Sequence, residues 1–345
     1  MQSLAAVLVE LHSPLEFIDL EFPALKRGQV LVKMAFSGIC RTQINEIKGF
    51  KGKDNYLPHT LGHEGSAVVM EVGEGVSKVK PGDHVVTTWI KGSGLEERSV
   101  VYKHKNMQVN SGAISTFMDY SIISENRLVP IPKDFSLREA ALFGCAIPTG
   151  AGIIFNDLRL QKGSTVAIFG VGGIGLSAVL AAYAKEAEII IAVDMEDDKL
   201  LIAKKMGATH TINAGKENVL DEISKITKNV GLDYAVESAG YKNVMEVAFK
   251  AVKDKGGVCV LAGNVPFGTC IECDPFDFIK GKKMIGSWGG GVDPDRDIPL
   301  FLDLFMKRKM NLSEMITHDV PLEELNEAIQ MVEDRKAARA LIHFG

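Results

Sequence analysis

The run Gly170-Val171-Gly172-Gly173-Ile174-Gly175 constrains the fold more than any other stretch of the chain. It follows an apolar β-type segment, Thr165–Phe169, and opens a helix-like one, Ile174–Lys185. A second β-type run, Glu188–Val193, ends at Asp194, about 20 residues past the last glycine. The glycine spacing alone is weak evidence, because a glycine-rich turn can also pack one helix and hold no ligand. The full strand–turn–helix–strand–acid order is what reads as a dinucleotide fingerprint. In it Gly170 makes the tight turn, Gly172 and Gly173 let backbone approach the pyrophosphate, and Gly175 lets the helix pack closely. Ile174 opens the helix whose positive end faces the phosphates. A carboxylate at Asp194 accepts from the ribose hydroxyls and repels a 2′-phosphate, so NAD(H) is expected over NADP(H).

Two textures divide the chain. Up to about Cys145, short Val-, Ile- and Thr-rich runs such as Gln29–Met34, Ser66–Glu71 and Asp83–Thr88 are broken by glycine turns, which predicts a β-rich, barrel-like domain. From about Pro148 to Trp288, strands alternate with helices, which predicts a doubly wound parallel sheet. The helical segments Leu300–Lys307 and Leu322–Val332 and a final strand, Arg339–Phe344, read as a tail returning to the first domain. The expected fold is therefore α/β in two domains: residues 1–147 with 292–345, and residues 148–291.

Charge and composition exclude several classes. A net charge of −5 with scattered Lys and Arg gives no basic field for nucleic acid. The longest apolar stretch, around Ala140–Phe155, contains Pro148 and several glycines and is not read as a membrane span. Cys40, Cys145, Cys259, Cys270 and Cys273 lack the spacing of a disulfide framework. With no basic-then-apolar leader at the N-terminus, the expectation is a reducing compartment, the cytoplasm, with any important thiol acting as ligand or nucleophile.

Candidate ligands lie in three motifs: Gly38-Ile39-Cys40-Arg41-Thr42, Gly62-His63-Glu64-Gly65 and Gly144-Cys145. Two thiolates and an imidazole suit a tetrahedral zinc with one open position. Singly, a buried cysteine is commonly inert core and a histidine commonly structural. Together with Val79-Lys80-Pro81-Gly82-Asp83, the glycine fingerprint and the Arg339 strand, these motifs resemble the zinc-containing medium-chain alcohol dehydrogenases over the whole chain. The resemblance implies a GroES-like catalytic domain beside a Rossmann domain, with the active site in the cleft between them. It implies one catalytic zinc on Cys40, His63 and Cys145, with Glu64 behind it as an exchangeable or outer group. It also implies Thr42 at the substrate oxygen, Trp89 lining the pocket, Arg41 and Arg339 at the pyrophosphate, and Lys199 at the adenosine ribose. The partner is a small alcohol or carbonyl compound, and the assembly a homodimer or homotetramer.

The sequence departs from that family in three places. Lys91–Gly112 holds no cysteine, so no structural zinc is expected and other packing must hold the loop. Gln43 stands where an Asp commonly supports the zinc-binding histidine, and a neutral amide raises ligand basicity less. Asn45 replaces a histidine that commonly ends the proton relay, and Asn cannot titrate. Cys270-Ile-Glu-Cys273 has no second pair and reads as ordinary structure, and His59, His84, His104, His210 and His318 show no partner pattern. Three alternatives stay open: a polyol or sugar dehydrogenase, a zinc-free quinone or enone reductase, and a nucleotide-binding protein without catalysis.

Overall fold

The computed structural model describes residues 1–308 and 310–345. They form two compact units. Unit one comprises Met1–Cys145, Asp293–Pro299 and Ile316–Gly345; unit two comprises Ala146–Val292 and Leu300–Met315.

In unit one, five short strands close a barrel in the order Gln2–Leu8, Glu16–Glu21, Val100–His104, Met107–Ser111 and His59–Thr60. A second sheet runs Leu128–Ile131, His84–Thr88, Glu64–Val72, Gln29–Gly38, Ala340–His343 and His318–Pro321, with Tyr120–Ser124 also paired to Gln29–Gly38. Strand alternation puts Val30, Val32 and Met34 inward against Ala67, Val69 and Val85, all at most 1% exposed. The C-terminal strand enters this sheet beside the metal-motif glycine, with Leu341 opposite Gly38.

In unit two, six strands are all parallel, in the order His210–Asn213, Ile189–Asp194, Thr165–Phe169, Tyr234–Glu237, Val258–Leu261 and Lys283–Gly286. The order reverses at Thr165–Phe169, the strand that feeds the glycine turn, as in a doubly wound dinucleotide fold. Its four central strands are mostly apolar and buried, whereas the edge strands His210–Asn213 and Lys283–Gly286 are partly exposed.

The segment Leu300–Met315 clusters with unit two, although the sequence reading gave it to the returning tail. The reason is aromatic: Phe301 and Phe305 are at most 1% exposed, and Phe301 packs on Phe155 with ring centroids 5.4 Å apart. Burying each ring contributes about 1.5–3 kcal/mol. The helix Pro294–Lys307 carries acidic residues in its first turn and apolar ones after it, so its two ends go with different units. Among the described residues no single helix is long and apolar enough to cross a membrane.

Candidate metal centre and dinucleotide site

The metal motifs converge within unit one. Cys40 caps the seven-residue helix Arg41–Ile47, and its backbone N–H donates to Gln43 Oε1 at 3.2 Å. Glu64 begins the strand Glu64–Val72 and His63 immediately precedes it; Cys145 follows the short helical turn Ala141–Gly144. One ligand atom each from Cys40, His63, Glu64 and Cys145 lie within 4.8 Å of one another.

Glycines let these segments close. A Cβ on Gly38 would sit 2.5 Å from Arg339 Nη2 and 2.8 Å from Glu64 Cδ. One on Gly144 would sit 2.5 Å from the Thr87 carbonyl oxygen and 2.7 Å from Glu64 Cα. Buried hydroxyls complete the frame: Ser37 Oγ donates to the Glu64 carbonyl at 3.0 Å, and Thr88 Oγ1 to that of Gly144 at 2.7 Å.

The electrostatics fit a cation. The hydrogen bond from the Cys145 thiol outweighs burial and holds Cys40 well below the ordinary thiol range, with His63 adding to the effect. The same bond and burial push Cys145 well above that range. Burial works against charge on His63, yet the Cys40 thiolate beside it lifts the imidazole above its ordinary value. His63 Nδ1 meets the buried Gln43 amide, leaving Nε2 buried without a hydrogen-bond partner. Two sulfurs and an unpartnered imidazole nitrogen are the donor set of an open zinc site.

Glu64 is fully buried and pairs with the guanidinium of Arg339, which itself is 5% exposed. Arg339 Nη1 also donates to the Ile39 carbonyl at 3.3 Å. The two residues thus form one ion pair behind the Cys40 turn. Thr42 Oγ1 is 3.6 Å from Cys40 Sγ, and the Trp89 ring stands edge-on to His63 with centroids 6.4 Å apart. Arg41 is exposed and Asn45 half-buried on the same helix.

Half of the expected loop Lys91–Gly112 is the barrel hairpin Val100–His104 and Met107–Ser111, and carboxylates hold the irregular part before it. Glu125 is completely buried; Oε1 accepts from the backbone N–H groups of Ser77 (2.6 Å) and Lys78 (2.7 Å), and Oε2 from that of Leu95 (2.6 Å). Burial opposes its charge, but these amides bring its carboxyl below the usual range. Glu96 takes Lys91 at 2.6 Å, Arg127 at 3.0 Å and Arg98 at 3.2 Å. Arg127 in turn donates to the Trp89 carbonyl, and Ser93 N–H to Asp295 at 2.6 Å. No local signal in the sequence marks Glu125, because its partners lie 30 to 48 positions away.

In unit two, Gly170 has φ +86°, and a Cβ there would meet Ala239 at 2.7 Å. Gly172, by contrast, faces open space, and the helix Gly173–Ala184 starts with no acidic residue in its first turn and no side-chain cap. Its amide groups are therefore available to an anion. Gly173 and Ile174 form that first turn, and Gly175 packs against the Gly170 carbonyl. Asp194 Oδ2 accepts from Val171 N–H at 2.8 Å, while Oδ1 accepts from Met195 (2.8 Å) and Glu196 (3.2 Å). These bonds fix the carboxylate beside the glycine turn. Lys199 lies half-buried in the next helix, Asp197–Lys205. All five cysteines are free thiols; Cys270 is exposed and Cys273 partly buried.

Comparison with known proteins bears on both halves. Residues 26–133 match the sequence model of the alcohol dehydrogenase GroES-like domain, and residues 173–307 that of the zinc-binding dehydrogenases. An S-(hydroxymethyl)glutathione dehydrogenase from Photobacterium damsela subsp. piscicida is 32% identical, with 100% of both chains aligned. The chain belongs to the zinc-containing medium-chain alcohol dehydrogenase family. The Haemophilus influenzae S-(hydroxymethyl)glutathione dehydrogenase is 30% identical over 100% of this chain and 98% of its own. Among solved structures of alcohol dehydrogenase type, benzyl alcohol dehydrogenase from Acinetobacter calcoaceticus superposes with a TM-score of 0.90 at 27% identity, covering 100% of each chain. A zinc-binding alcohol dehydrogenase domain protein from Burkholderia ambifaria gives 0.89 at 28%, covering 100% of this chain and 99% of that one. The GroES-like and Rossmann halves expected from the sequence are thus the family's own.

Proposed function

We propose that this alcohol dehydrogenase moves hydride between an alcohol and its aldehyde or ketone with NAD(H), using a single zinc held by Cys40, His63 and Cys145. The observation that carries this reading is the Cys40–His63–Glu64–Cys145 cluster, with an unpartnered buried imidazole nitrogen and an aromatic wall at Trp89. When bound, zinc supplies Lewis-acid polarisation of the substrate oxygen, and the dinucleotide supplies the hydride acceptor.

The chain's residues do the rest. Gln43 orients the His63 ring by its contact at Nδ1. Glu64 stays on Arg339 as an outer group that keeps the buried negative charge compensated. Thr42, whose hydroxyl lies beside Cys40, hands on the substrate proton without being a strong acid or base itself. Asn45 follows it on the helix and cannot titrate, so that proton leaves through water. Asp194 takes the adenosine ribose with its remaining acceptor capacity, Lys199 supports it, and the exposed Arg41 neutralises the pyrophosphate. Trp89 gives the pocket one bulky wall.

The test is a screen of the zinc-loaded protein with NAD or NADP against aliphatic, aromatic and sugar alcohols, benzyl alcohol and S-(hydroxymethyl)glutathione, read by absorbance of the reduced cofactor. Turnover with at least one non-sugar alcohol and a clear preference for NAD is expected. Equal efficiency with NADP would remove the role given to Asp194, and preferred turnover of polyols would move the substrate class.

A further inference from the structure

A second set of ligating atoms comes together where the helix Arg41–Ile47 faces the loop that follows it. Glu46, Asp54 and His59 each place one ligand atom within 4.8 Å of the others. His59 is 7% exposed, and its backbone is fixed in the barrel, paired to Leu8 on one side and Asn110 on the other. Its Nδ1 lies 3.0 Å from the Thr60 carbonyl oxygen. A carbonyl only accepts, so Nδ1 carries the hydrogen and the tautomer is set.

That leaves Nε2 facing acceptors alone: Asp54 Oδ2 at 2.9 Å and Glu46 Oε1 at 3.9 Å. A lone pair aimed at two carboxylate oxygens is repulsive, so a positive charge belongs at that point, either a proton on Nε2 or a cation. The other oxygens are already occupied and hold the two carboxylates in place. Asp54 Oδ1 accepts from Tyr56 N–H at 2.8 Å, and Glu46 Oε2 accepts from Lys51 Nζ at 2.6 Å. One free oxygen from each carboxylate therefore points at one imidazole nitrogen. A histidine whose second nitrogen donates to a backbone carbonyl is the usual support of a metal-binding imidazole.

We propose that Glu46, Asp54 and His59 form a second, exchangeable site for a divalent transition metal such as zinc, tying the loop 48–58 to the helix that follows Cys40. One nitrogen and two oxygen donors suit zinc, cobalt or nickel, with water completing the shell. The side chains of Glu46 and Asp54 are 26% and 12% exposed, and no thiolate takes part, so the ion exchanges with solvent far more readily than one at the Cys40 cluster. Lys51 is the built-in competitor, since its ammonium already sits on Glu46.

The experiment is calorimetric titration of the zinc-loaded enzyme with additional zinc after dialysis against a mild chelator. One further equivalent per chain is expected. Glu46→Gln and His59→Gln should each weaken it by roughly tenfold or more, and Lys51→Ala should strengthen it. Glu46→Gln changes a partly exposed side chain, so it reports on the site even where His59→Gln folds poorly. No uptake of zinc up to millimolar concentration, or uptake indifferent to all three variants, would overturn the proposal and leave His59 as a clamp on Asp54 alone.

Discussion

The turn at Cys40 and the lobe after Trp89 are both irregular backbone in the same unit, and both are organised by buried charge. They are completed differently. Around Cys40, two thiols are hydrogen-bonded to each other, His63 Nε2 has no hydrogen-bond partner, and the Glu64–Arg339 pair stands behind them. In the lobe, Glu125 has three backbone amides on its two oxygens, and Glu96 has three basic neighbours. The first arrangement is a donor set that fits a cation; the second is a set of hydrogen bonds and ion pairs within the chain. A buried carboxylate that reaches several backbone amides is thus one way to hold such a lobe.

That contrast can be broken most sharply by substitution at the thiols. Cys40→Ser and Cys145→Ser should each abolish turnover and lose the zinc, while NADH binding, followed by its fluorescence, is retained. Equal loss of NADH binding would show that the cluster also holds up the fold. Elemental analysis after dialysis should give one tightly held zinc per native chain; two such zincs, both kept in Glu46→Gln, would mean that the lobe binds metal after all.

Next in size, Glu125→Ala should cost about 3–5 kcal/mol in denaturant unfolding, because it orphans buried amides. It should leave the zinc content unchanged, and Glu125→Gln should lie between variant and native. Zinc loss in parallel with stability would show the two regions to be one cooperative structure. Thr42→Ala should lower single-turnover hydride transfer by roughly 100-fold without altering zinc content or the lobe; an unchanged rate would remove Thr42 from the proton path.

The smallest effect expected is acid sensitivity of the lobe. The Lys91 hydrogen bond, helped by Arg98 and opposed by burial, brings the Glu96 carboxyl down to about 2 from 4.5. A depressed carboxylate stabilises the fold above its unfolded pKa and loses that contribution as pH falls through the folded one. Thermal stability should therefore decline between about pH 4.5 and about pH 2 with a Glu96 contribution, and Glu96→Gln should flatten that part of the profile. An identical profile in the variant would place the acid sensitivity elsewhere.

The sequence disclosed these features unequally, for physical reasons. The glycine turn was legible because close backbone approach and a positive φ at Gly170 restrict residue type locally. The parallel sheet was legible for a similar reason, since βαβ alternation is a short-range pattern. Cys40, His63 and Cys145 are far apart in the chain, and only the resemblance joined them. Glu125 stayed hidden because nothing in its neighbourhood shows that distant amides will meet it. The Glu64–Arg339 pair was hidden too, since nothing local to either residue marks the other as its partner. Phe301 and Phe305 moved a segment between units because burial against Phe155 outweighs proximity in sequence to the tail. His59 gave no pattern either, as its partners come from a helix and a loop.

The ion pair behind the metal cluster also orders events in time. Arg339 reaches the Ile39 carbonyl across 300 residues, and its strand pairs beside Gly38. At ribosomal speeds of about 5–20 residues per second, roughly 15–60 seconds separate the synthesis of the two. Throughout that interval Cys40, His63 and Glu64 already exist, but the strand edge beside Gly38 is open and the Glu64 carboxylate lacks its counter-charge. The whole parallel sheet of the second unit is made and able to fold in the meantime. The ion pair behind the metal cluster is thus closed only after Arg339 has been made.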